Sequence, residues 1–137
     1  NSIIDACSEH CSRAAEWVGS LLGCEVNYKY ISLWLDRDGY NLAPHYDLGD
    51  VDFGLQIYIG GPETRSDLGL AFYLDAEQKA PGQLVLTDDH KTPLFQLGYR
   101  SNCGYLADNS YTVLHGLPKP VVAPAQRWSV YARYFRV

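Results

Sequence analysis

The sequence predicts a mainly β domain, a sandwich or barrel with one helix packed on its outside. Three observations carry that expectation. A single N-terminal stretch repeats its apolar residues at helical spacing. The rest of the chain breaks into short β-rich runs bounded by Gly, Pro, Asn and Asp. No further helical stretch lies between those runs, whereas a parallel sheet would need crossover helices there.

The helix rests on Ile3, Ile4, Cys7, Cys11, Ala14, Ala15, Val18, Leu21 and Leu22, which follow the i, i+3, i+4 spacing of an amphipathic face, with Gly23 as a stop. Strands are expected near 25–35, 40–46, 53–59, 69–74, 83–86, 94–99, 103–107, 111–115 and 126–136. No repeat, low-complexity tract or linker divides the chain, so the 137 residues read as one domain, with a flanking helix over 1–23 and a β core over 25–137. Two loops stand out: GGPETRSD at 60–67 and the Pro-rich GLPKPVVAPAQ at 116–126.

Composition agrees with a strand-rich globular chain: 47% of residues are hydrophobic, and 11 Tyr, 4 Phe and 3 Trp favour pleated, half-buried surfaces. The formal charge of −5 and the lack of any Lys/Arg run disfavour a nucleic-acid partner, which needs a local positive field. No apolar run is long enough to cross a bilayer, so no membrane partner is expected. Cys7, Cys11, Cys24 and Cys103 form no Cys-x-x-Cys pair and read as free thiols in a reducing, cytoplasmic setting. A zinc site from Cys7, His10, Cys11 and Cys24 is the weaker reading, because those cysteines fall on the apolar stripe. The chain does not begin with Met and is expected to be a processed or trimmed piece.

The residues with most chemical character are His45 and Asp47. At i and i+2 in a strand their side chains project to one face and form a chelating pair. His115 ends a later β-rich run. Arg127, Ser129 and Tyr131 share one face of the last strand, where a guanidinium with a hydroxyl two residues on suits a carboxylate. Two His and one carboxylate on three corners of an octahedron leave three positions open, the facial triad of non-haem ferrous oxygenases. Asp88-Asp89-His90 reads as a polar turn, and His10 as a surface or helix-packing residue.

In order and spacing these residues resemble the core of the 2-oxoglutarate and Fe(II)-dependent dioxygenases. That family carries His-x-Asp, a long interval, a second His, a short interval and then Arg-x-Ser. Here His45-x-Asp47 is followed after 67 residues by His115, and after 11 more by Arg127-x-Ser129. The resemblance implies a double-stranded β-helix, that is, a jelly-roll, cupin-like core. It implies that His45, Asp47 and His115 bind Fe(II) and that Arg127 and Ser129 hold the distal carboxylate of 2-oxoglutarate. A further hydroxyl for that carboxylate is expected from Tyr30, Tyr58 or Tyr73, among which the sequence does not choose. With 2-oxoglutarate and O2 as partners and ascorbate as reductant, the implied reaction hydroxylates a C–H bond and releases succinate and CO2.

Arg127 stands where the prolyl hydroxylase branch has Lys, and Asp47 fills the position that halogenases of the family leave to a halide. Only 44 residues precede His45, so part of a substrate-binding region is expected to be minimal or missing. Loops 48–53 and 60–68, with Asp50, Asp52, Glu63, Arg65 and Asp67, are expected at the mouth of the site. The competing reading is a non-catalytic jelly-roll or cupin-like ligand-binding module, although the chain has no His-x-His. The primary substrate and the oligomeric state are not readable.

Overall fold

A computed structural model of the chain describes residues 2–47, 52–60, 65–73, 92–109 and 114–137. The expected strand 83–86, the Asp88-Asp89-His90 turn, and positions 48–51, 61–64 and 111–113 lie outside the described residues.

Helix α1 runs Ile3–Leu22. Its start is set by a capping box: the Ser2 hydroxyl accepts from the Asp5 N–H, and the Asp5 carboxylate accepts from the Ser2 N–H. It ends at Gly23, whose φ of 69° is left-handed backbone. Cys11 and Val18 are buried, and Ala15, Leu22 and Cys24 pack against them. Leu21, at the flank of that stripe, and Ile4, in the first turn, are exposed.

Among the described residues there are two antiparallel sheets. The larger joins β1 (Val26–Asp36), β7 (Arg127–Arg136), β2 (Phe53–Ile59) and β5 (Gly104–Asp108), in that order. The smaller joins β4 (Phe95–Gln96), β3 (Ala71–Tyr73) and β6 (Leu114–Gly116). The expected strand at 40–46 is reduced to a single backbone bridge, and a short 3-10 turn, Ser66–Leu68, leads into the expected 69–74 strand, of which Ala71–Tyr73 is paired. The structure is therefore mainly β, with two antiparallel sheets and one N-terminal helix.

The period of two divides the large sheet into two functional faces. On one, Phe53, Ala132, Tyr134 and Val26 form a core with Cys11 and Val18 of α1. Tyr134 donates its hydroxyl to the Cys11 carbonyl at 3.0 Å, and Ser8 and Tyr28 join their hydroxyls at 2.8 Å. The other face carries Arg127, Ser129, Tyr131 and Arg133 of β7, flanked by Gly54, Gln56 and Tyr58 of β2 and by Trp34 and Asp36 of β1. It looks toward the small sheet, where Phe72 meets Tyr105 edge to face at 5.5 Å.

All four cysteines are free. Among the described residues they form no metal-binding group, and His10 contacts Arg13 on the helix surface. No helix among the described residues is long and apolar enough to cross a membrane.

Phe53 has no exposed surface and ties the large sheet to α1. Phe53→Ala is expected to cost about 3–5 kcal/mol through lost burial and the cavity left behind, read as a lowered urea midpoint.

Candidate metal centre

The centre begins with backbone. His45 and His115 form an antiparallel bridge, each N–H donating to the other's carbonyl at 2.9 and 3.1 Å. The ladder continues from the Leu117 N–H to the Leu42 carbonyl at 2.8 Å. Directly opposed residues of an antiparallel pair share a face, so the two imidazoles must come together, and their ring centroids lie 4.5 Å apart. Gly116 permits the approach: a Cβ there would press on the backbone of Leu42, Ala43 and Pro44.

Asp47, two residues beyond His45, completes the group. Its Oδ1 lies 3.6 Å from Nε2 of His45 and 3.6 Å from Nε2 of His115. One ligand atom from each of the three residues lies within 4.8 Å of the others, so the group can hold a metal ion. Ligand atoms bonded at about 2.0–2.2 Å to one ion stand about 3–3.5 Å apart, close to the two 3.6 Å separations from Asp47 Oδ1. Nδ1 of His45 donates to the Ala43 carbonyl at 2.9 Å, leaving the Nε2 lone pair directed at the centre. His115 is buried between Phe72 and Tyr105. Tyr46, between the two ligands in sequence, turns the other way and packs on Leu114 and Tyr73.

The group opens into a cavity of about 200 Å³, lined also by Asp36, Tyr40, Gln56, Tyr105, Arg127, Tyr131 and Arg133. One water needs only about 10–15 Å³, so this is space for a small organic molecule. Tyr131 donates its hydroxyl to Asp47 Oδ2 at 3.3 Å. Burial and the neighbouring Asp47 charge hold that phenol well above its ordinary value, so it remains a neutral donor. Gly54 gives it room, because a Cβ at that position would overlap the Tyr131 hydroxyl.

Arg127 reaches the cavity, but not as a free cation. Its Nε and Nη2 lie 2.7 and 2.6 Å from Oδ2 of Asp36, and Nη1 donates to the Leu68 carbonyl at 3.3 Å. Of five guanidinium N–H groups, one on each Nη is left, enough for an end-on carboxylate. Ser129 departs from expectation: it is fully buried, and its hydroxyl accepts from Gln56 Nε2 at 2.9 Å, so the residue on the cavity wall is Gln56.

The three candidate tyrosines separate cleanly. Tyr58 lies under Arg127, with the guanidinium carbon 5.8 Å from its ring centre, and its hydroxyl accepts the Leu70 N–H. Tyr30 sits at the other end of the sheet face, against Arg133, and Tyr73 faces Tyr46 and Leu114, so neither neighbours Arg127. The sequence reading missed Asp36, Gln56 and Tyr40; the last lies 6.0 Å from the Arg127 guanidinium carbon. Of the expected acidic rim, Asp50 and Glu63 lie outside the described residues, and the other members are engaged elsewhere. Asp52 accepts the Arg136 N–H, and Arg65 pairs with Asp67 at 2.8 Å.

No protein-family model matches the chain, and no curated protein matches it. Among solved structures it is similar to the crystal structure of EvdMO1, with a TM-score of 0.58 at 16% identity, covering 88% of this chain and 29% of that one. At that identity the likeness is one of fold, and this chain spans less than a third of the other's length.

Two outcomes follow from the geometry. Asp36 and Arg127 are 3% and 2% exposed, so Asp36→Ala strands a buried cation and is expected to cost about 3–5 kcal/mol. Asp36→Leu combined with Arg127→Met is expected to cost far less, and equal urea midpoints for the two variants would contradict this. The second outcome concerns protons. Burial opposes charge on His45, but the Asp47 hydrogen bond and the Ala43 carbonyl outweigh it and raise the imidazole above its ordinary 6.5. Burial likewise opposes charge on Asp47, yet the His45 hydrogen bond and the His115 charge hold the carboxyl below its ordinary value. In the metal-free protein, the His45 contribution to stability is full below the ordinary imidazole value and is lost as pH rises through the raised one. The Asp47 contribution is present above the ordinary carboxyl value and lost as pH falls through the lowered one. A metal must displace the His45 proton, so Zn(II) affinity is expected to weaken as pH falls, beginning above 6.5, with proton release visible as buffer-dependent calorimetric heats.

Proposed function

We propose that the chain is the core of an Fe(II)- and 2-oxoglutarate-dependent dioxygenase, with the two sheets as the halves of a double-stranded β-helix. The reaction is hydroxylation of an unactivated C–H bond of a small molecule or protein side chain, with release of succinate and CO2. The observation that carries this reading is the convergence of His45, Asp47 and His115 on one cavity that also holds the Arg127 guanidinium. Two imidazoles and one carboxylate suit Fe(II) and leave coordination positions for co-substrate and oxygen.

The chain's own residues divide the work. His45, Asp47 and His115 would hold the ion, with the Ala43 carbonyl fixing the His45 tautomer and Tyr131 fixing Asp47. The two remaining Nη donors of Arg127 would bind the distal carboxylate of 2-oxoglutarate, with Asp36 holding the guanidinium plane and Gln56 beside it. Phe72 and Tyr105 keep water from the His115 side. When bound, the iron and the 2-oxo acid supply the oxidative chemistry, and the protein supplies binding, orientation and a sheltered cavity.

With Fe(II), ascorbate and 2-oxoglutarate the purified chain is expected to release succinate slowly even without primary substrate. Asp47→Ala and His115→Ala are expected to lose metal-dependent 2-oxoglutarate binding. Arg127→Lys is expected to weaken 2-oxoglutarate binding about tenfold or more with metal binding retained. Normal turnover by Asp47→Ala would overturn the assignment, and metal-dependent 2-oxoglutarate binding with no succinate formed would turn it into a binding module.

A further inference from the structure

The cavity contains a second guanidinium that the reading above leaves unused. Arg127 and Arg133 lie on the same face of β7, six residues apart, which at about 3.3 Å per residue separates their Cα atoms by about 20 Å. Tyr131, the residue that touches Asp47, stands between them. The candidate metal ligands are thus bracketed by two cations, one toward each end of the cavity.

The two cations are differently provided for. Arg127 has Asp36 and the Leu68 carbonyl. Among the described residues Arg133 has no carboxylate within ion-pair distance, and its Nε is buried without any hydrogen-bond partner. Buried donors of this kind are scarce in native proteins and call for a missing acceptor. Arg133 is also held in place, its guanidinium carbon 5.2 Å from the ring centres of both Tyr30 and Tyr131. Two local irregularities make that arrangement. An irregularity in the β1 register between Tyr28 and Tyr30 places Tyr30 opposite Arg133, although Tyr28 faces α1. On the other side of β7 the residue opposite Arg133 is Gly54, and the place a side chain would take there holds the Tyr131 hydroxyl, which keeps that ring beside the guanidinium.

We propose that Arg133 is a specificity-determining anchor for an oxyanion, carboxylate or phosphate, carried by the primary substrate and bound at the end of the cavity opposite Arg127. The proposal rests on the dioxygenase reading for the identity of that ligand as a substrate. It narrows the substrate class to small acids or phosphorylated molecules, with the C–H bond to be oxidised lying between the anchored oxyanion and the His45–Asp47–His115 centre. A planar guanidinium clamped between two rings presents its donors in fixed directions, which suits two-point binding of such a group.

The test uses side-chain Nε–H signals of arginine in the Zn(II)-loaded chain, saturated with 2-oxoglutarate and titrated with inorganic phosphate or acetate. The Arg133 signal is assigned by its disappearance in Arg133→Lys, which keeps the charge and the fold. The expected result is a saturable shift of the Arg133 signal with at least one anion, the more effective of the two distinguishing phosphate from carboxylate. Calorimetric titration with the same anion is expected to show weaker binding in Arg133→Lys and binding weaker by about tenfold or more in Arg133→Gln. No saturable shift with either anion overturns the proposal. A shift by 2-oxoglutarate itself that blocks both anions also overturns it, assigning Arg133 to the co-substrate while leaving the dioxygenase reading intact. Failure of 2-oxoglutarate to bind the metal-loaded wild type counts against that reading, and phosphate or acetate binding at Arg133 would then stand as anion recognition without it.

Discussion

The site depends on one backbone pairing, the bridge between His45 and His115. Neither histidine is placed by a long strand of its own: one belongs to a segment held by the Leu42–Leu117 bond and, further back, by backbone bonds of Gly39 and Tyr40 with Val121, the other to a three-residue strand. Two reciprocal amide bonds nevertheless determine which way both side chains point. Asp47 follows two residues later on the same face, so three ligands are specified by one register. A slip of one residue in the 42–47 segment would turn His45 and Asp47 to the side now occupied by Tyr46 and Leu114, away from His115. Gly116 therefore carries weight out of proportion to its size, because it lets the backbone at 42–44 come close enough for that register to form.

Strand β7 then performs two tasks at once. Its outward residues Ala132 and Tyr134 close the core against α1, while Arg127, Tyr131 and Arg133 line the cavity and Ser129 lies buried beneath Gln56. Packing on one face rigidifies the other, and the functional side chains inherit their placement from a central strand hydrogen-bonded on both sides. The Asp36–Arg127 pair extends the same logic from β1. Being buried, it adds less net stability than its short distances suggest, because desolvation offsets much of the attraction. What it does secure is direction: with two contacts on Asp36, the guanidinium cannot rotate its remaining donors away from the cavity.

The sequence carried the mainly β class, the single N-terminal helix and the long strands well, since Val26–Asp36, Phe53–Ile59 and Arg127–Arg136 have strong β-rich patterns and clear Gly, Pro or Asn boundaries. It carried His45, Asp47 and His115 as a candidate group because their order and spacing are linear properties. Asp36 and Gln56 were not legible, for each acquires its role only across a strand pair, opposite Arg127 and Tyr131. The tyrosines were undecidable for a related reason. Alternation predicts that Tyr28 and Tyr30 share a face, and the register irregularity between them breaks that rule at the point where Tyr30 meets Arg133. Ser129 lies on the face that periodicity gives, but periodicity gives direction and not which neighbour, here Gln56, stands above it.

The electrostatic contrast between the two ends of the cavity follows from these same cross-strand relations. Across from Arg127, β1 contributes Asp36; across from Arg133 it contributes Tyr30, whose ring faces the guanidinium without neutralising it. An aromatic face attracts a cation but accepts no strong hydrogen bond, so it orients the guanidinium and leaves its need for an acceptor unmet. At the Arg127 end the folded protein already satisfies most donors, and a ligand there adds to a completed ion pair. At the Arg133 end a buried N–H has no acceptor among the described residues, so a ligand that supplies one offsets that cost. Two cations on one strand are in this way given unequal selectivity by the single residue that each faces on the neighbouring strand.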